Sequence, residues 1–180
     1  FFTNDKGFII TSKGDSLAYL TAFLNSSLFR CCFRDNFPEL MGNTYEVRKI
    51  FVDQIPVKKP TAPEGELFER LVALVQFANV QHAEAELHVH AKLLEEIIDA
   101  CVMECYFHDH MREHDLLFQT DVATLVDGFD TKSSEAEQFE FLNHFYQTAN
   151  APDHPIRNRL LRLTSDSPNL LAVIKEQGMV

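Results

Sequence analysis

The chain has 180 residues, 46% of them apolar with 16 Phe, and a formal net charge of −11. That supports one domain, or two small subdomains on a shared core, and excludes wholesale disorder. No run of 18 apolar residues occurs, so no membrane span is expected, and the acidic balance argues against a general nucleic-acid binder.

The charge is uneven. Residues 1–60 carry a net +2 and residues 61–180 a net −13. Cations are thus enriched in the first third, while the remainder repels polyanions. The chain begins on Phe1 without a signal-peptide pattern, so it reads as a piece of a longer cytoplasmic protein. The cysteines Cys31, Cys32, Cys101 and Cys105 form no CxxC pair. They read as small apolar residues in a reducing compartment.

In chain order, residues 7–12 have strand character, and Asp15 or Ser16 can cap a helix. Apolar residues from Leu17 to Phe33 recur at 3–4 spacing, which predicts one amphipathic helix over 16–34. Pro38 and Gly42-Asn43 mark a loop. Residues 44–52 are rich in β-branched and aromatic types and predict a strand. Prolines at 56, 60 and 63 make 54–63 an extended crossing segment. Residues 66–114 contain neither Gly nor Pro. One helix of that length would run roughly 70 Å at 1.5 Å per residue, so a break is expected in the polar stretch Asn79 to Glu86. The result is a hairpin of helices over about 65–79 and 84–108. Further helices are expected over 116–127, from the cap Ser134 to Tyr146, from Pro155 to Leu163, and from Ser167-Pro168 to Gly178. The fold class is therefore α+β, mostly α: a small mixed N-terminal part, a helical hairpin and a helical tail.

Several chemistries have candidate residues in the sequence. His108, Asp109, His110, Glu113 and His114 crowd one helix end. His110 and His114 could face one metal, but the order is not HExxH and no third ligand is fixed. A polar helix end suited to the C-terminal dipole is the plainer reading. Asp130-Thr131-Lys132 with Asp121 or Asp127 could mimic a metal-dependent nuclease, yet it follows Gly128 in a turn. No Walker A loop, GxGxxG or GxSxG occurs. No Pro-Pro pair exists, so the base-holding Asn-Pro-Pro-Tyr of adenine methyltransferases is absent. No catalytic residue, metal or cofactor is assigned to this chain.

What remains is segment 17–59. Arg30, Arg34, Arg48, Lys49, Lys58 and Lys59 could track phosphates, and Asn43 with Arg48 could reach base edges. At ordinary density these are equally plain surface charges.

The run Leu20-Thr21-Ala22-Phe23-Leu24-Asn25-Ser26-Ser27-Leu28-Phe29 resembles the Leu-Asn-Ser helix of the TaqI-like specificity domains of type IIG restriction–modification enzymes. Gly42-Asn43-Thr44-Tyr45 resembles the loop after it. Ile50 to Val57, with Gln54-Ile55-Pro56-Val57, resembles the family's strand and Pro-Ile-Pro exit, with Val57 in place of the usual second Ile. Leu71 to Val75 resembles the next helix. Leu94 to Tyr106, with Ile98-Asp99 and Cys105-Tyr106, resembles the helix that closes the module. The likeness covers about residues 1–115. It implies the end of a target-recognition subdomain over 1–63, a helical hairpin scaffold over 64–115 and a helical tail over 116–180. It adds Tyr45 to the DNA-facing residues. It also implies a parent protein that moves a methyl group from S-adenosylmethionine to adenine N6 in double-stranded DNA, sometimes beside a nuclease. This region would then pack on the methyltransferase domain of the same chain. The rival is a helical scaffold that packs on a catalytic domain or partner subunit without touching DNA.

Overall fold

The computed structural model describes residues 9–12, 17–40, 44–80 and 85–176. Among them are nine helices and one two-stranded sheet, so the protein is α+β and mostly α.

The expected helix over 16–34 is two helices, α1 (Leu17–Asn25) and α2 (Ser27–Asn36). Ser26 separates them in extended conformation, and its side chain accepts from Phe29 N at 3.1 Å. An internal N-cap thus restarts the helix in a new direction, although the apolar spacing runs through. The proposed cap at Asp15 or Ser16 lies outside the described residues.

Two strand expectations are corrected. Of the strand expected over 7–12, residues 7 and 8 lie outside the described residues, while 9–12 form no strand and Ile9 and Ile10 stand exposed. Of 44–52, only Thr44–Tyr45 is strand (β2), paired antiparallel with Glu39–Leu40 (β1). A two-stranded ribbon has little support of its own, and the chain turns instead into a one-turn helix, α3 (Lys49–Val52), closed by Lys49 and Asp53 at 2.5 Å.

The crossing segment is irregular until α4 (Ala62–Val80) begins. Pro63 is accommodated in the first turn. Thr61 N and Oγ1 both donate to Glu64 Oε2, at 2.7 and 2.8 Å, and Glu64 N donates to Thr61 Oγ1. This reciprocal capping box starts the helix three residues before its expected position. α4 and α5 (Ala85–Glu113) pack as the expected hairpin. α5 is bent at Phe107, where φ is −122° and ψ 35°.

The tail carries α6 (Gln119–Val126), α7 (Glu135–Ala149), α8 (Pro155–Asp166) and α9 (Pro168–Glu176). The expected stop at Gly178 lies outside the described residues. α6 starts three residues later than its pattern suggests because Glu104, from α5, accepts the amides of Phe118 and Gln119. Gly128, at φ 88°, turns the chain out of α6 in a conformation that favours glycine. Ser134 and Glu137 form a capping box at α7.

One hydrophobic cluster joins all the long helices. Phe23 of α1, Phe68 and Leu74 of α4, Leu94 and Ile97 of α5, and Phe145 of α7 lie fully buried in it. The hairpin is the spine, on which α1, α6, α7 and α8 all pack. α9 returns to close on α2.

Candidate functional site

An aromatic layer joins the elements that carry Arg30, Arg34, Arg48 and Lys49. Phe33 of α2 stacks on Phe37 at 4.2 Å between ring centroids and meets Tyr45 of β2 edge-on at 5.3 Å. Phe37 reaches Phe51 of α3 at 5.8 Å. α2 with Arg30 and Arg34, β2 with Tyr45, and α3 with Arg48 and Lys49 thus share one small platform.

Their charges are partly engaged. Arg30 is exposed and its guanidinium reaches the Asn25 carbonyl at 3.5 Å. Arg34 is half-buried in the last turn of α2. Arg48 pairs with Glu46 at 2.8 Å and Lys49 with Asp53, all largely in solvent. Such exposed pairs are worth about 0–1 kcal/mol and exchange readily for a stronger anion. Lys58 is different. Its ammonium donates to the Cys105 carbonyl at 2.7 Å and lies 3.9 Å from Glu64, so it is committed to α5. Lys59 is exposed. Asn43 lies outside the described residues.

Two contacts tie this platform to the hairpin. Ser27 donates from its amide and its hydroxyl to the two oxygens of Asp99, at 2.8 and 2.7 Å. Tyr106 donates to the Pro56 carbonyl at 3.3 Å and accepts from Lys58 N at 2.9 Å. Spacing alone singled out neither Asp99 nor Tyr106, since both partners are distant in sequence.

Beneath Lys58 lies a polar cluster. Burial pushes the Glu64 carboxyl up, but hydrogen bonds from Thr61 and from the Cys105 thiol, with the Lys58 charge, outweigh it and hold it below its ordinary value. Burial, with the neighbouring Glu64, pushes the Cys105 thiol up to about 12. A thiol that stays protonated is a poor nucleophile, and the bonds from Lys58 to the Cys105 carbonyl and from the Cys105 thiol to Glu64 tie the crossing segment to α4 and α5. Burial also raises the Glu104 carboxyl, against the opposing pull of the Gln119 and Phe118 amides and the charges of His108 and Arg159. Cys31, Cys101 and Cys105 are buried and Cys32 is half-buried.

The other candidates have local roles. The rings of His110 and His114 lie 4.5 Å apart, and His110 Nε2 meets the Ser167 hydroxyl at 2.9 Å, joining α5 to the α8–α9 corner. Among the described residues no group of three or more His, Cys, Asp and Glu side chains is gathered as a metal site would require. Asp130 accepts from Lys132 N at 2.8 Å in a turn, Asp121 pairs with Arg159, and Asp127 pairs with Arg70. Each of the three carboxylates is thus engaged by a different partner.

An open groove of about 480 Å³ runs between α1 and the tip of the hairpin. Its floor includes Ala22, Val72 and Ile98, and its rim carries Arg30, Lys92 and Glu95 beside the Ser27–Asp99 contact. Among the described residues no helix is long and apolar enough to cross a membrane. Comparisons with family models, with curated proteins and with solved structures return no match to this chain.

Proposed function

We propose that this chain is the DNA-recognition and scaffold region of a restriction–modification DNA methyltransferase acting on adenine N6. It is itself non-catalytic and works in the cytoplasm. The first third faces DNA through Arg30, Arg34, Tyr45, Arg48, Lys49 and Lys59, with Asn43 from the adjoining loop. The hairpin and tail form the scaffold that holds this face against the methyltransferase domain of the same protein. Methyl transfer from S-adenosylmethionine belongs to that domain.

One observation carries the reading. The stretches that resemble the specificity family meet in pairs. Ser27, in the Leu-Asn-Ser-Ser stretch, is bonded to Asp99, in the Ile-Asp stretch. Pro56, in the Ile-Pro-Val exit, is bonded to Tyr106, in the Cys-Tyr stretch. Residues fifty or more positions apart thus serve one joint, which gives a physical reason for these motifs to occur together. The reading also suits the charge division, with cations concentrated where DNA would lie and acids elsewhere.

The test uses the full-length protein bound to duplex DNA across a range of salt. Arg48→Ala with Lys49→Ala should weaken binding and flatten the salt dependence by about one to two units, because each lost phosphate contact releases fewer counterions. Arg112→Ala with Lys132→Ala, in the hairpin end and tail, should change neither. If neither pair matters while both variants remain folded, the scaffold without DNA contact is the better reading.

A further inference from the structure

We propose that Asp99 is a positioning residue for the basic face of α2, an inference that rests on the DNA-recognition reading above.

Ser27, Arg30 and Arg34 fall at spacings of three and four, on one side of α2. The side that adjoins this stripe is buried: Leu28 and Cys31 face the core, and the Cys31 thiol reaches the Val173 carbonyl of α9 at 3.7 Å. The direction of α2 is not inherited from α1, because Ser26 between them is extended at φ −75° and ψ 158°. Something outside the two helices must therefore set how the arginine stripe stands relative to the hairpin. Asp99 is placed to do so. Its two oxygens hold the head of that stripe at two points, the Ser27 amide and hydroxyl. A carboxylate in the first turn is also favoured by the positive end of the helix dipole. Arg30, one turn further, lines the same groove as Asp99.

The sign of the effect separates positioning from simple charge. An acidic side chain beside a DNA-facing arginine repels phosphate, so removing it should raise affinity. A side chain that holds the arginine in place predicts the opposite.

The experiment measures duplex-DNA affinity of the full-length protein against salt, with thermal melting and far-UV circular dichroism as checks on folding. Asp99→Ala should lower affinity and flatten the salt slope by about one unit, as Arg30→Ala does, and the double variant should lose little more than either alone. Asp99→Asn should restore most of the loss, because its carbonyl can accept from the Ser27 amide while its amide group donates to the hydroxyl. If Asp99→Ala raises affinity or leaves it unchanged while Arg30→Ala lowers it, positioning is wrong and recognition stands. If Arg30→Ala and Arg34→Ala also have no effect, the recognition reading fails and takes this proposal with it. Should Asp99→Ala not fold, Ser27→Ala removes only the hydroxyl bond. It should give a smaller loss of the same sign, and a folded Ser27→Ala protein with unchanged affinity would overturn the proposal.

Discussion

The Tyr106 hydroxyl donates to the carbonyl of Pro56 across fifty residues of sequence. It also accepts the amide of Lys58, so one phenol satisfies two backbone groups of a segment that has no regular structure. We predict that Tyr106→Phe costs about 1 kcal/mol of stability, the usual net worth of a hydrogen bond. The ring's stacking on Phe23 at 5.5 Å should survive. Hydrogen exchange at Lys58 should speed up more than in the hairpin core. Equal acceleration in both places would mean that the segment is not held by this contact.

Glu104 replaces a local cap at α6. Glu104→Ala leaves the amides of Phe118 and Gln119 unanswered in a buried site, and we predict a loss of about 1–3 kcal/mol. Glu104→Gln keeps one carbonyl acceptor and should cost less. Chemical denaturation of both variants checks this, and a harmless Glu104→Ala would contradict it.

Glu64 and Glu104 should pull stability in opposite directions with pH. The Glu64 carboxyl is held below its ordinary value. Its contribution is present above the unfolded-state value and is lost as pH falls through the folded one. The Glu104 carboxyl is raised. Its contribution is full below the unfolded-state value and is lost as pH rises through the folded one. Glu64→Gln should therefore flatten the acid limb of the stability curve. Glu104→Gln should reduce the loss of stability between that limb and neutrality. Identical pH profiles in wild type and both variants would refute the assignment.

The hairpin core should be sensitive to truncation. Leu94 and Leu74 have no exposed surface, and each change to alanine should cost roughly 2–5 kcal/mol through lost burial and the cavity left behind. Ser134→Ala, which removes one half of the capping box at α7, should cost about 1 kcal/mol. A Leu94→Ala protein as stable as Ser134→Ala would mean that the hairpin is not the centre of the core.

The long helices were legible because they bury a continuous face, which periodicity reports directly. The α4–α5 hairpin follows from the Gly- and Pro-free run and its polar interruption. What was not legible depended on partners. The break at Ser26 hides under unbroken apolar spacing, although Asn25-Ser26-Ser27 is good capping chemistry. The strand character of 44–52 ends after Tyr45, as the ribbon has only one partner. α6 starts at Gln119 because of a carboxylate fifteen residues earlier on another helix. The same applies to the candidate site. Lys58 is indistinguishable from Lys59 in sequence, but it is bound to the Cys105 carbonyl. Asp99 lies in a helix with many other acids, and only its contact with Ser27 sets it apart.

The most direct measurement of the central claim is photochemical cross-linking of the full-length protein to its duplex, with the adducts mapped by mass spectrometry. The account predicts adducts within residues 30–59, with Tyr45 the favoured aromatic, and none in the acidic helices α6 to α9. Adducts confined to those helices, or no adduct in this region while the rest of the protein cross-links, would contradict it.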